Sequence, residues 1–161
     1  MRYSFLLAAI AMVLAGCHDG MHHHDNAEAK HLMYVPADIK WVDGPPGLPA
    51  GGQFAVLEGD PHAPGFFTMR AKLPANYNIM PHWHPQAERV TVLSGALYMG
   101  HGDSFNKDGA SALPAGSYTS MPAGMHHFAY TKEETVIQLS GIGPWGITYV
   151  NAADDPRKIE K

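Results

Sequence analysis

One cysteine, Cys17, stands in 161 residues, so no disulfide can form within the chain. No apolar run reaches the roughly 20 residues that a helix needs to cross a bilayer; Phe5 to Leu14 falls well short. Beyond position 37, Gly and Pro recur so closely that no segment offers ten uninterrupted residues of helical period, which excludes long helices. Basic charge is also scarce. Lys and Arg total 11 against 15 Asp and Glu, the formal charge is -4, and no basic stripe stands out. The phosphate attraction that dominates nucleic-acid binding has no source, so DNA and RNA are excluded as partners. No Ser/His/Asp arrangement announces itself, and the glycine-rich pieces lack phosphate-loop spacing.

What is present begins with "MRYSFLLAAIAMVLAGC". Arg2, a short apolar stretch and small residues before Cys17 resemble a bacterial lipoprotein signal, with "LAGC" as the lipobox. The resemblance implies a signal over 1–16 and lipidation at Cys17, which would tether the domain to a membrane of the cell envelope with none of its own residues crossing the bilayer. By the same resemblance, His18 rather than an aspartate after the cysteine implies the outer membrane. Residues 17–37 lack a sustained hydrophobic period and read as a solvated tether. Its histidines, His18, His22, His23, His24 and His31, offer imidazoles that would hold a transition metal only loosely.

From about residue 38 to 152 the punctuation of "DGPPGLPAGG", "GDPHAPG", "LPAN", "LPAGS" and "MPAGM" separates short β-branched and aromatic runs. These runs, at 53–58, 66–73, 89–93, 96–100, 117–121, 127–130, 135–141 and 146–150, predict one all-β domain, an antiparallel sandwich or barrel. At 153–161 the charged segment reads as a frayed end or a single surface turn.

The stretch "HWHPQAERVTVLSG" carries the chemistry. His82 and His84 leave one face of an extended segment, and Glu88 keeps that parity. Pro81 and Pro85 argue against a regular central strand there. From Glu88 the alternation continues inward through Val90 and Val92, with Arg89 and Thr91 outward. Two imidazoles and a carboxylate facing inward are costly to desolvate unless a divalent cation pairs with them. In "GSYTSMPAGMHHF", the turn at Pro122 and Gly124 delivers His126 and His127 to another strand; as neighbours they face opposite ways, so at most one is a ligand.

These spacings resemble the cupin superfamily. Its first motif runs Gly, five residues, HxH, three or four residues, Glu, six residues, Gly; His82, His84, Glu88 and Gly95 match, and Asn76 replaces the opening glycine. Its second runs Gly, five residues, PxG, two residues, His, three residues, Asn; Gly116, Pro122, Gly124 and His127 match, and Thr131 replaces the final Asn. The resemblance implies a jelly-roll barrel in which His82, His84, Glu88 and His127 bind one divalent transition metal ion, with Mn, Fe, Ni, Zn and Cu as possible occupants, and His126 is the excluded neighbour. Homodimers are frequent in the superfamily, and exposed edge strands supply a motive for pairing.

Met80, Met121 and Met125 read as core packing rather than as copper ligands. Trp83, Phe128, Tyr130, Tyr98 and Trp145 are candidates for an apolar mouth or for core, and Gln138 is expected to face solvent. Two functions follow: a metal-dependent enzyme on a small organic molecule (oxygenase, isomerase or decarboxylase), or a non-catalytic module that binds or senses a metal or small ligand. The fold itself does not choose between them.

Overall fold

The computed structural model describes residues 31–158. Cys17, the signal segment 1–16 and His18, His22, His23 and His24 lie outside the described residues. Among the described residues, no helix is long and apolar enough to cross a membrane.

Among the described residues, eleven strands form two antiparallel sheets. They are β1 (Val42–Asp43), β2 (Gln53–Glu58), β3 (Gly65–Leu73), β4 (Asn78–Trp83), β5 (Glu88–Ser94), β6 (Ala96–His101), β7 (Ser111–Pro114), β8 (Tyr118–Met121), β9 (His127–Thr131), β10 (Thr135–Gly143) and β11 (Thr148–Tyr149). One sheet has the order β1-β2-β3-β10-β5-β8, and the other β11-β4-β9-β6-β7. This is the jelly-roll sandwich expected from the spacing of the short runs.

The longest ladder pairs β3 with β10 from Gly65↔Gly143 to Leu73↔Thr135. Burial alternates along β10, so Ile137 and Leu139 enter the core while Val136 and Gln138 do not. Gln138 accepts a hydrogen bond from Arg70 Nε at 3.2 Å, away from the histidines. In β5, Glu88, Val90 and Val92 are buried and Arg89 is exposed, as the alternation predicts. Phe67, Val90, Val92, Leu97 and Met121 fill the space between the sheets. Each such side chain contributes about 1.5–3 kcal/mol by leaving water.

The two departures from the cupin motifs have physical replacements. Asn76 has φ 60°, the left-handed conformation that asparagine tolerates better than most residues, so it makes the turn a glycine would make. Thr131 Oγ1 donates to the Pro74 carbonyl at 2.6 Å and accepts from the Tyr77 amide at 3.0 Å, tying that turn to the end of β9.

Outside the five-stranded sheet, Phe128, Tyr130 and Tyr98 pack away from the histidines. Tyr98 stacks on Tyr130 at 4.8 Å, and Phe105 meets Phe128 and Tyr130 edge-on. Lys107 and Lys132 lie over Tyr130 and Tyr98. Gly100 makes room for this layer, because a Cβ there would lie 2.2 Å from the Phe128 ring.

Candidate metal centre

Pro81 lies within β4, where it cannot donate to a ladder. The register explains how it is tolerated: Ile79 faces Ala129, but His82 faces His127, so β4 carries one extra residue. That β-bulge absorbs the proline and also resets the parity, allowing both Ile79 and His82 to face the interior. Beyond the strand end, the His84 carbonyl accepts from the Gly124 amide at 2.9 Å. The turn before β9 is thereby held against the turn before β5. Glu88 opens β5 opposite Met121 of β8.

These three chain segments bring His82, His84 and His127 together. One donor nitrogen from each lies within 4.8 Å of the other two, and all three residues are buried. Each ring is oriented by a backbone carbonyl that can only accept: His82 Nδ1 donates to Met80 at 2.8 Å, His84 Nδ1 to Gly146 at 2.7 Å, and His127 Nδ1 to Met125 at 2.9 Å. With the proton on Nδ1, a neutral ring keeps a lone pair on Nε2. Met80 and Met125 therefore serve the site through their carbonyl oxygens, and Met121 is core.

Glu88 is 6% exposed and joins the group. Its Oε2 lies 3.2 Å from His127 Nε2 and 3.6 Å from His84 Nε2. Neither contact has the alignment of a hydrogen bond, and the Nε2 atoms of His84 and His127 have no hydrogen-bond partner among the described residues. Buried donor atoms left in this way are costly. A cation shared by the imidazoles would satisfy them, so the residues present fit a metal ion, and three-histidine chemistry suits transition metals.

Burial, reinforced by the neighbouring imidazoles, pushes the His82 pKa down to about 3. Burial also lowers that of His84, against the pull of Glu88. At His127 the same desolvation is outweighed by Glu88, so its pKa is raised. Desolvation would raise the Glu88 carboxyl, but His127 and the other imidazoles hold it below its ordinary range. Without a metal, these shifts favour a second proton on His127 over one on His82 or His84, with Glu88 as its counter-charge. His126 faces the opposite way and pairs with Asp103 at 2.6 Å on the surface.

His82, His84 and Glu88 form the floor of a cavity of about 510 Å³. Its wall is the inner face of the six-stranded sheet, including Phe54, Met69, Ala71, Leu73, Ile137 and Leu139. Of the five aromatics singled out in the sequence, only Trp145 lines it. Its indole stacks on the His84 ring at 4.3 Å with planes 17° apart. The next residue, Gly146, accepts the His84 Nδ1 proton, so one short loop supplies both wall and ring support.

The sequence offered Trp145 as a mouth candidate, but not the support that Gly146 gives the His84 ring, nor the Pro45–Leu48 strap and Arg157 that complete the cavity. Where a frayed end or a single surface turn was expected, the segment forms two 3-10 turns, Ala152–Asp154 and Pro156–Lys158, and between them Asp155 is buried and accepts from Arg157 Nε and Nη2 at 2.7 and 2.8 Å. The available signal was the pair "DPR", a short-range carboxylate–guanidinium clamp; nothing local reveals the cavity beside it.

A family model described as the ChrR cupin-like domain matches residues 29–145. No curated protein matches the sequence. The fold resembles that of the polyketide cyclase RemF from Streptomyces resistomycificus, with a TM-score of 0.65, 18% identity and coverage of 80% of this chain and 92% of that one. An RmlC-like cupin from Shewanella frigidimarina gives 0.55, 13%, 71% and 91%. KdgF from Halomonas sp. gives 0.54, 20%, 71% and 96%. At these identities the likeness concerns the fold. The match over 29–145, which spans β1 to β10 and contains both histidine segments, carries the assignment: the chain belongs to the ChrR cupin-like domain family.

Proposed function

We propose that His82, His84, Glu88 and His127 hold one divalent transition metal ion (Mn, Fe, Ni, Zn or Cu), and that the protein is an exported, lipid-anchored cupin acting on a small organic molecule. The observation that carries this reading is the convergence of three imidazoles whose Nδ1 protons are already committed to carbonyls. When bound, the ion supplies Lewis acidity or redox capacity according to its identity. The chain's own contribution is to orient the rings, to hold one negative charge at Glu88, and to exclude water with an apolar wall. Oxygenation, isomerisation and decarboxylation are the reaction classes that such a site serves.

Elemental analysis of the full-length protein purified from its own envelope, without added metal, should give about one transition metal per chain. Less than a tenth of an equivalent, in both wild type and His84→Ala, would remove the reading. Screening the loaded protein against carbonyl and phenolic compounds should show turnover that His84→Ala loses.

A second reading, a module that binds or senses without catalysis, is favoured by one observation. Among the described residues lining the cavity, the floor has no acid or base beyond His82, His84 and Glu88. Saturable binding with no turnover across the screen would select it. Lipidation at Cys17 rests on the "LAGC" segment; incorporation of labelled fatty acid that Cys17→Ser abolishes supports it. An envelope location, the outer membrane in particular, follows from that anchor, and fractionation tests it. Pairing into a homodimer is read out by sedimentation of the purified protein.

A further inference from the structure

The polar groups of the cavity are confined to its two ends. His82, His84 and Glu88 are buried at the floor, whereas Asp43, His62 and Arg157 are exposed and form the rim. Between them the wall offers aliphatic, thioether and aromatic surface. A sugar or nucleotide entering such a wall would surrender many hydrogen bonds to water and regain few, at a cost for each unpaired group. A hydrophobic molecule with oxygen at its ends would surrender almost none. A cavity of about 510 Å³ falls within the range that encloses an organic molecule of drug size.

Arg157 defines what the rim end can receive. Of its five N–H groups, Nε donates to Asp155 Oδ1, and the two on Nη2 go to Asp155 Oδ2 at 2.8 Å and the Ile147 carbonyl at 3.2 Å. Nη1 has no acceptor among the described residues. It passes over Gly47, where an added Cβ would lie 3.5 Å from it. Gly47 is itself fixed by the Tyr149 hydroxyl, which donates to its carbonyl at 2.9 Å. A planar guanidinium clamped along one edge thus presents the remaining N–H pair at the rim. Its charge is already matched by Asp155, and Asp43 adds a second negative charge to the same rim. That combination donates hydrogen bonds while repelling anions.

We propose that the cavity takes a hydrophobic carbonyl compound, an aromatic or alicyclic ketone or ester whose uncharged acceptor oxygen is received by Arg157 Nη1, rather than a carbohydrate, a nucleotide or an organic anion. Arg157 is a specificity-determining residue. It lies outside residues 29–145, the segment matched to the family. The proposal rests on the metal reading only for what meets the floor; the rim selects with or without an ion.

The test is therefore run first on the full chain stripped of metal with a chelator, by equilibrium dialysis with 2-acetonaphthone, 2-ethylnaphthalene, 2-naphthoate and glucose. The ketone should bind about three- to tenfold more tightly than the hydrocarbon, the difference of one hydrogen bond from a guanidinium whose charge Asp155 already pairs. Naphthoate should bind more weakly than the ketone, and glucose should not bind. Arg157→Leu should bring the ketone down to the level of the hydrocarbon while leaving the hydrocarbon unchanged. Asp43→Asn, which leaves the Asp155 clamp intact, should strengthen naphthoate about twofold and leave the ketone unchanged; it provides a readout independent of the folding of Arg157→Leu.

Preference for naphthoate or glucose overturns the proposal, as does equal loss of ketone and hydrocarbon in Arg157→Leu. Repeating the series after zinc loading separates the two readings. Failure to load zinc counts against the metal centre alone, whereas loss of the ketone preference in the stripped protein counts against the rim alone.

Discussion

The two ends of β9 bury polar residues to the same depth for opposite reasons. His127 at one end and Thr131 at the other share the inner face of the strand, and each is 1% exposed. Thr131 has both hydroxyl functions used, toward Pro74 and Tyr77. His127 has Nδ1 used, whereas Nε2 faces Glu88 without hydrogen-bond alignment. A buried polar group whose partners are all supplied by the chain maintains the fold, and one left with an unused atom points to something the chain does not supply. The difference sets the Thr131 end of β9, the structural end, against the His127 end, which is fitted for binding; Asn78 Oδ1, opposite Tyr130, is the one buried side-chain atom near the structural end without a partner among the described residues.

The sharpest way to break this comparison is to remove one donor from the binding end. A structural four-ligand zinc site is worth about 10–16 kcal/mol, so losing one donor costs about 2.5–4 kcal/mol, on the order of a hundredfold or more in affinity. His127→Ala is expected to lose that much in a competition titration with a chromophoric chelator. His126→Ala, one residue away but paired with Asp103 outside the barrel, should stay within about twofold. Equal losses in the two variants would mean that the interior cluster is not the site.

Thr131→Val reverses the experiment. It keeps shape but leaves the buried Tyr77 amide and the Pro74 carbonyl without their hydroxyl partner, at about 1–3 kcal/mol for each unsatisfied group. Denaturant unfolding of the metal-free chain should show a loss of about 2–4 kcal/mol, with metal stoichiometry unchanged in the folded fraction. A stability loss below about 0.5 kcal/mol would remove the distinction between the two ends.

A smaller effect tests the charge state of the binding end. His82 and His84 have lowered pKa values and carry no second proton near neutrality, whereas below the raised pKa of His127 that ring holds a second proton that a metal must displace. Loading should release about one proton per ion. Apparent affinity should fall about tenfold, or about 1.4 kcal/mol, for each pH unit below the His127 pKa and level off above it. Titration in buffers of differing ionisation enthalpy measures the release directly; no release at pH 6 would contradict the Glu88–His127 pairing.

How much of this was legible in the sequence follows from how local each cause is. Glu88, Val90 and Val92 could be assigned inward because alternation along a single strand is a local property, and β5 obeys it. The opposed faces of His126 and His127 follow from the same rule. β4 was obscured by Pro81, since only pairing with β9 shows the bulge that accommodates it. β7 (Ser111–Pro114) is short and mostly exposed, so it lacks the apolar signature of a strand. Four of the five mouth aromatics do not line the cavity, because parity places a ring on a face without saying which face encloses it. Trp145, the Pro45–Leu48 strap and Arg157 meet only through tertiary packing, and no spacing rule connects them.

The smallest expected effect concerns the structural end, where Asn76 occupies the turn that Thr131 ties down. Its φ of 60° is a cost of backbone conformation, so it should respond to the identity of the side chain in a definite order. Asn76→Gly removes the Cβ clash but adds freedom to the unfolded chain, and these contributions nearly offset each other, leaving a change of a few tenths of a kcal/mol. Asn76→Ala keeps the clash and loses the polar group that makes the left-handed region accessible, costing about 1 kcal/mol. The Asn76 carbonyl, which accepts from Asn78 Nδ2 at 3.2 Å, is retained in both variants. An alanine variant as stable as the glycine one in denaturant unfolding would show that the turn is not held in the left-handed conformation. Asn76 would then no longer account for the missing motif glycine, and the closure of the structural end would rest on Thr131 alone.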